Sequence, residues 1–138
     1  MSNIEQIRSD NQVIAILIRH EFSKEGIEFF TPGDFSQQLG YMKHKVGDTI
    51  QEHVHILHIR EVKYTQETLF IKKGRVRINF YNHEKTFFTS RELKTGDVIL
   101  LASGGHGFEF LEETEIIEVK QGPYCGDHDK VRFAGQKK

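Results

Sequence analysis

Two imidazoles one residue apart, His53 and His55 in "EHVHILH" (52–58), turn to the same side of an extended chain and could share a metal ion. Thr49 and Gln51 have the same parity. His58 has the opposite parity unless a bulge or turn at Ile56–Leu57 brings it back. Two histidines are too few, because a stable site takes three or four ligands held by a hydrogen-bonded surround. Further candidates are Glu61, Glu67, His83, His106 and Glu109. Glu67 opens "ETLFI" and shares a face with Leu69 and Ile71. A carboxylate at the inner end of an apolar face is costly unless it is paired or bound to a cation. His106 follows "LASGG" and shares parity with Phe108 and Phe110, both expected to point inward. His83 lies in an expected turn and is the weaker candidate. Taken singly, each has an ordinary reading: a half-exposed His-x-His pair, a solvated glutamate, a loop histidine. Their joint order, with the glycines between them, favours a metal site.

The elements that must position these residues read as β throughout. Strand signals recur along the chain between Gly, Asp and Asn turns, a rhythm that suggests a sandwich or barrel. "VIAILIR" is short and β-branched. "GYMKHKV" leads through Gly47-Asp48 into "TIQEHVH", expected to be a strand. In "RVRINFY", Val76, Ile78 and Phe80 share one face and Arg75, Arg77 and Asn79 the other. "NHEK" reads as a hairpin turn, followed by "TFFTS", "DVILL", "GFEFL" and "TEIIEVK". Helix templates fit poorly, except for residues 3–9, where Ile4 and Ile7 are three apart, and a possible turn at "DFSQQLG". Phe29 and Phe30 could cover a barrel end or a partner subunit.

The 138 residues suit one domain, with a barrel core at 40–120, an N-terminal strand region at 1–39 and a tail at 121–138. Hydrophobic residues make up 37%, with eleven Phe, enough for a core. The net charge is −1, from 19 basic and 20 acidic residues, and basic residues never cluster beyond pairs, which argues against a nucleic-acid partner. The longest apolar run, "VIAILI", is too short to span a membrane. "MSNIEQIRSD" lacks the pattern of a signal peptide, so a cytoplasmic location is expected. The one cysteine, Cys125, reads as an exposed loop thiol. "LASGGHG" lacks the lysine and following helix of a phosphate loop, and its glycines are read as a tight turn that carries His106 inward.

The order of these residues resembles the cupins. Gly47 is followed by five residues and then His53-x-His55, Glu67 by six residues and then Gly74, and Gly96-Asp97 by "VILLASGGH" ending at His106. The resemblance covers about 40–120. The eleven residues between His55 and Glu67 exceed the family's short gap, Ala102 stands for the usual Pro, His106 comes one residue early, and Phe110 stands near the usual Asn. The long gap leaves Glu61 open as the alternative carboxylate, with "ILHIREVKYTQ" as a loop at the barrel mouth carrying His58. The tail "EVKQGPYCGDHDKVRF" resembles that of small uncharacterised cupins found with surface-polysaccharide genes.

The resemblance implies a jelly-roll-like β-barrel of two antiparallel sheets, and one divalent ion (Fe, Mn, Ni or Zn) on His53, His55, Glu67 and His106. It implies a small-molecule metalloenzyme, an isomerase, dioxygenase or lyase acting on a sugar-like or carboxylated substrate. A non-catalytic metal- or ligand-binding module is the alternative, and a barrel that has lost its metal is a third reading. Phe108, Phe110, Ile78 and Phe80 are expected to line the pocket. Tyr41, Lys43 and His58 are the catalytic candidates, Lys43 meeting an anion and Tyr41 donating a proton, although an exposed strand face is the plainer reading of the first two. Glu118 and Lys120 share a face with Ile116 and either pair or form a solvated edge. Nothing in so small a barrel obviously covers both faces of "VIAILIR", so a homodimer burying it is expected.

Overall fold

Alternating apolar residues and tight turns produce an all-β architecture. The computed structural model describes residues 2–135. The strands are β1 (Ile4–Ser9), β2 (Gln12–Ile18), β3 (Gly26–Phe29), β4 (Gly40–Lys43), β5 (Glu67–Lys73), β6 (Arg75–Tyr81), β7 (Phe87–Lys94), β8 (Val98–Leu101), β9 (Gly105–Phe110) and β10 (Glu115–Lys120). A 3₁₀ turn spans Gly126–Asp129. Residues 3–9 pair with β2 as a strand, Ile4 opposite Ile18, and do not form the helix that their spacing allowed. "DFSQQLG" forms turns and bends without a helix. Among the described residues no helix is long and apolar enough to cross a membrane.

The strands form an antiparallel five-stranded sheet ordered β1-β2-β8-β5-β10, a three-stranded sheet ordered β7-β6-β9, and a separate β3-β4 hairpin. Asp10 and Asn11, both at positive φ, turn β1 into β2. Gly74, at φ 100°, carries the chain from the first sheet to the second. A side chain there would strike the Glu113 carbonyl, so glycine is required twice over. The Asn82 side chain accepts from the Glu84 and Thr86 amides and shapes the β6–β7 turn expected at "NHEK".

The two sheets face each other across one core. Ala15, Leu17, Leu69, Ile71, Ile99 and Leu101 come from the first, and Val76, Ile78, Phe80 and Leu93 from the second. Apart from Ala15, each such side chain, buried almost completely, contributes about 1.5–3 kcal/mol. The parity read in "RVRINFY" holds. "VIAILI" is a correction: Ile14 to Ile18 are buried within their own chain. β2 runs between β1 and β8, so it calls for no partner subunit.

The inner faces carry ionisable side chains at both edges of the sandwich. At the β1/β7 edge, Arg91 forks onto Glu5, its Nε 3.1 Å from both carboxylate oxygens, and the pair joins the two sheets. The β9/β10 edge has a different character. Phe108 and Phe110 lie on the inner face of β9, opposite the buried Ile78 and Val76, yet they are 37% and 60% exposed. No strand among the described residues closes this side into a barrel. Asp97, wholly buried in the β7–β8 turn, accepts from the His20 and Lys94 amides and pairs with Arg19 at 3.1 Å. It thereby ties the segment after β2 to the second sheet.

Candidate functional site

The open β9/β10 edge holds the main polar cluster. Glu67 lies at the start of β5, opposite Leu101 on one side and Lys120 on the other. His106 lies on β9 opposite Phe80. The sandwich brings them together from different sheets, His106 Nε2 to Glu67 Oε2 at 3.4 Å, with side chains 29% and 17% exposed. The His106 ring stacks on Phe108, centroids 5.8 Å apart.

Glu118, two residues before Lys120 on the inward face of β10, lies close enough to Glu67 for the two carboxyls to affect each other's titration. The His106 imidazole, aided by Glu118 and the nearby Lys120 ammonium, holds Glu67 down to about 2 against the opposing effect of burial. The bond to the Glu67 carboxylate, then burial and the Glu67 charge, push Glu118 up to about 7. Two carboxyl groups in contact share one proton, because ionising both places like charges side by side. The cluster can therefore hold and release a proton near neutral pH.

The tail forms the rim. Asp129 of the 3₁₀ turn accepts a hydrogen bond from Thr65 and lies 4.0 Å from Lys120. Phe133 packs edge-on against Tyr81 at 5.2 Å. Sequence reasoning missed Thr65 and Asp129, which no local signal marks. For Glu118 the sequence leaves open a pair with Lys120 or a solvated edge, and its parity with Ile116 is the signal that places it inward.

The remaining candidates lie elsewhere. The expected strand "TIQEHVH" is a correction: residues 44–66 form no strand. His53 and His55 are exposed on this irregular segment, their rings edge-to-face at 5.3 Å. His53 Nδ1 lies 2.8 Å from the Gln51 carbonyl. His58, Glu61 and His83 line a broad open cleft of about 1300 Å³ against Asp34 and Pro123. Neither Glu67 nor His106 borders that cleft. Glu109 faces away from the core, bonding Asn79 at 2.9 Å and pairing with Arg77 at 3.6 Å. Tyr41 packs edge-on against Phe22 at 4.8 Å. Lys43 pairs with Glu25 at 3.1 Å on the β3-β4 hairpin. Cys125 is an exposed free thiol.

Among the described residues no three His, Cys, Asp or Glu side chains gather as metal ligands. Within this one chain Glu67 and His106 meet in the sandwich, and His53 and His55 lie on the exposed segment. They form two halves, one built into the sandwich and one on an exposed segment. Compared with known proteins, the chain matches no family model, no curated protein and no solved structure.

Proposed function

We propose that this chain is a small-molecule-binding domain of cupin type, with Glu67 and His106 as the built-in half of a divalent-metal site and His53 and His55 as the other half. The carrying observation is the contact between Glu67 and His106. Each sits at the end of an otherwise apolar strand face, and they meet across the two sheets beside an open edge. Half-buried ionisable groups with a shifted titration, placed where a ligand can enter, are candidates for a functional site. The exposed rings of Phe108 and Phe110 supply an apolar wall, and Lys120 supplies a cation at the rim. Those features suit a sugar-like or carboxylated ligand, with isomerase, dioxygenase or lyase chemistry as the enzymatic reading and surface-polysaccharide assembly as the setting.

A non-catalytic binding module is the second reading. Its specific support is that Glu67 is already partnered by His106 and Glu118, so the cluster is internally satisfied without an ion.

Metal content tests the first reading. Tag-free protein equilibrated with Fe(II), Mn(II), Ni(II) or Zn(II) and then dialysed is expected to retain one of them near stoichiometrically. Glu67→Gln and His106→Ala are each expected to lose it. Equal metal content in the wild type and both variants overturns the assignment.

A further inference from the structure

Residues 44–64 are exposed throughout. Val54 is 88% exposed, Leu57 95% and Ile59 103%, as open as in an unfolded chain. Among the described residues, 49–63 form no backbone–backbone hydrogen bond. Yet residues 50–56 largely alternate as a strand does, Ile50, Val54 and Ile56 on one parity with Glu52 as the exception, and Gln51, His53 and His55 on the other. A strand pattern without a sheet leaves both its amides and its apolar side chains unsatisfied.

The complementary deficit lies at the open edge. β9 pairs with β6 alone and β10 with β5 alone among the described residues, so each presents a free strand edge. Between them lie the exposed Phe108 and Phe110 and the Glu67–His106 pair. The arm begins at a tight turn and ends at an anchor on the body. At the near end, the Lys45 amide donates to the Asp48 carboxylate and the Asp48 amide to the Lys45 carbonyl. At the far end, Gln66 accepts from the Gln37 amide and Ser36 hydroxyl, and Thr65 is bound by Asp129. These contacts fix where the arm leaves and rejoins the body, while residues 49–63 between them make no backbone–backbone hydrogen bond to it among the described residues, which leaves their amides free for the edge of a second copy.

We infer that residues 49–63 dock on the β9/β10 edge of a second copy of this chain, in a reciprocal exchange that carries His53 and His55 to the partner's Glu67–His106 pair. An exchange of identical segments closes as a two-fold dimer and leaves no edge unpaired. The delivery of ligands rests on the metal reading above; the docking of the arm does not.

Mixed-isotope cross-linking tests the docking on the unaltered chain. Light and ¹⁵N-labelled chains are refolded together and treated with a lysine cross-linker. Lys45 or Lys63 of the arm is expected to join Lys120 in peptides of mixed isotope, and sedimentation to give twice the 16.1 kDa chain mass. Peptides of one isotope alone, or a monomer, overturn the inference. Hybrid dimers test the delivery. A chain carrying His53→Ala and His55→Ala is refolded with one carrying Glu67→Gln and His106→Ala. The hybrid is expected to retain metal that neither variant retains alone. No recovery, with wild-type protein binding metal, overturns delivery between chains. Wild-type protein that binds no metal defeats the metal reading, while the cross-links still decide the docking.

Discussion

At the scale of single residues, the polar groups of this chain differ in how well they are satisfied. Asp97 is complete: two amides and the Arg19 guanidinium use its carboxylate in a site without solvent. Removing one partner of a buried pair strands the other, so Asp97→Ala is expected to cost about 3 kcal/mol. Urea denaturation checks this as a lowered midpoint with an unchanged slope, and a loss under about 1 kcal/mol would contradict the account. The sequence marks Asp97 only as part of the Gly96-Asp97 turn pair, because Arg19 and His20, which bury it, lie far away along the chain. Glu67 and His106 were legible, since a polar residue on an apolar face stands out. Glu118 was half legible, its parity pointing inward while its charge suggested solvent.

Among elements, pattern predicted strands well wherever a neighbour was at hand to complete them. β6 kept the parity read from "RVRINFY". Residues 3–9 became β1 because hydrogen bonding along β2 outweighs a weak three-residue spacing. "TIQEHVH" shows the converse: it largely alternates, yet a strand forms only against another strand, and among the described residues none pairs with it. The sandwich is clamped at the β1/β7 edge by Arg91 and Glu5. The hydrogen bond from Arg91 is the chief cause holding the Glu5 carboxyl below its ordinary range. A lowered carboxylate contributes stability above the unfolded value and loses it as the pH falls through the folded one. The stability gap between wild type and Glu5→Gln is thus expected near neutrality and to vanish on acidification below the ordinary glutamate range. Solvent screening of this partly exposed pair keeps the gap to about 1 kcal/mol or less. Melting temperatures across pH check it, and a gap that grows in acid would refute the clamp.

In the whole molecule, one edge is sealed, one edge is open, and an arm has no sheet of its own. Ile56, 75% exposed in the single chain, separates the two possible states of that arm. Were the arm free, Ile56→Asp would alter stability by no more than about 0.5 kcal/mol and leave association unchanged. With the arm exchanged, the same substitution places a charge against the partner's sheet. It is then expected to shift sedimentation from dimer to monomer while far-UV circular dichroism keeps the β signature of the body. A variant that sediments as the wild type does would show that Ile56 stays in solvent.

The sequence by itself determined the all-β class, the inward parity of the core strands, the β6–β7 turn at "NHEK", and the singling out of His53, His55, Glu67 and His106. These follow from short-range rules, because side-chain alternation and turn chemistry are properties of neighbouring residues. The tertiary structure alone decided that β2 is covered by its own chain, that Glu118 comes beside Glu67 while Thr65 and Asp129 meet near Lys120, and that His53 and His55 lie on an exposed segment. Each of those depends on which strands lie side by side, and pairing between distant strands is set by the packing of the whole core.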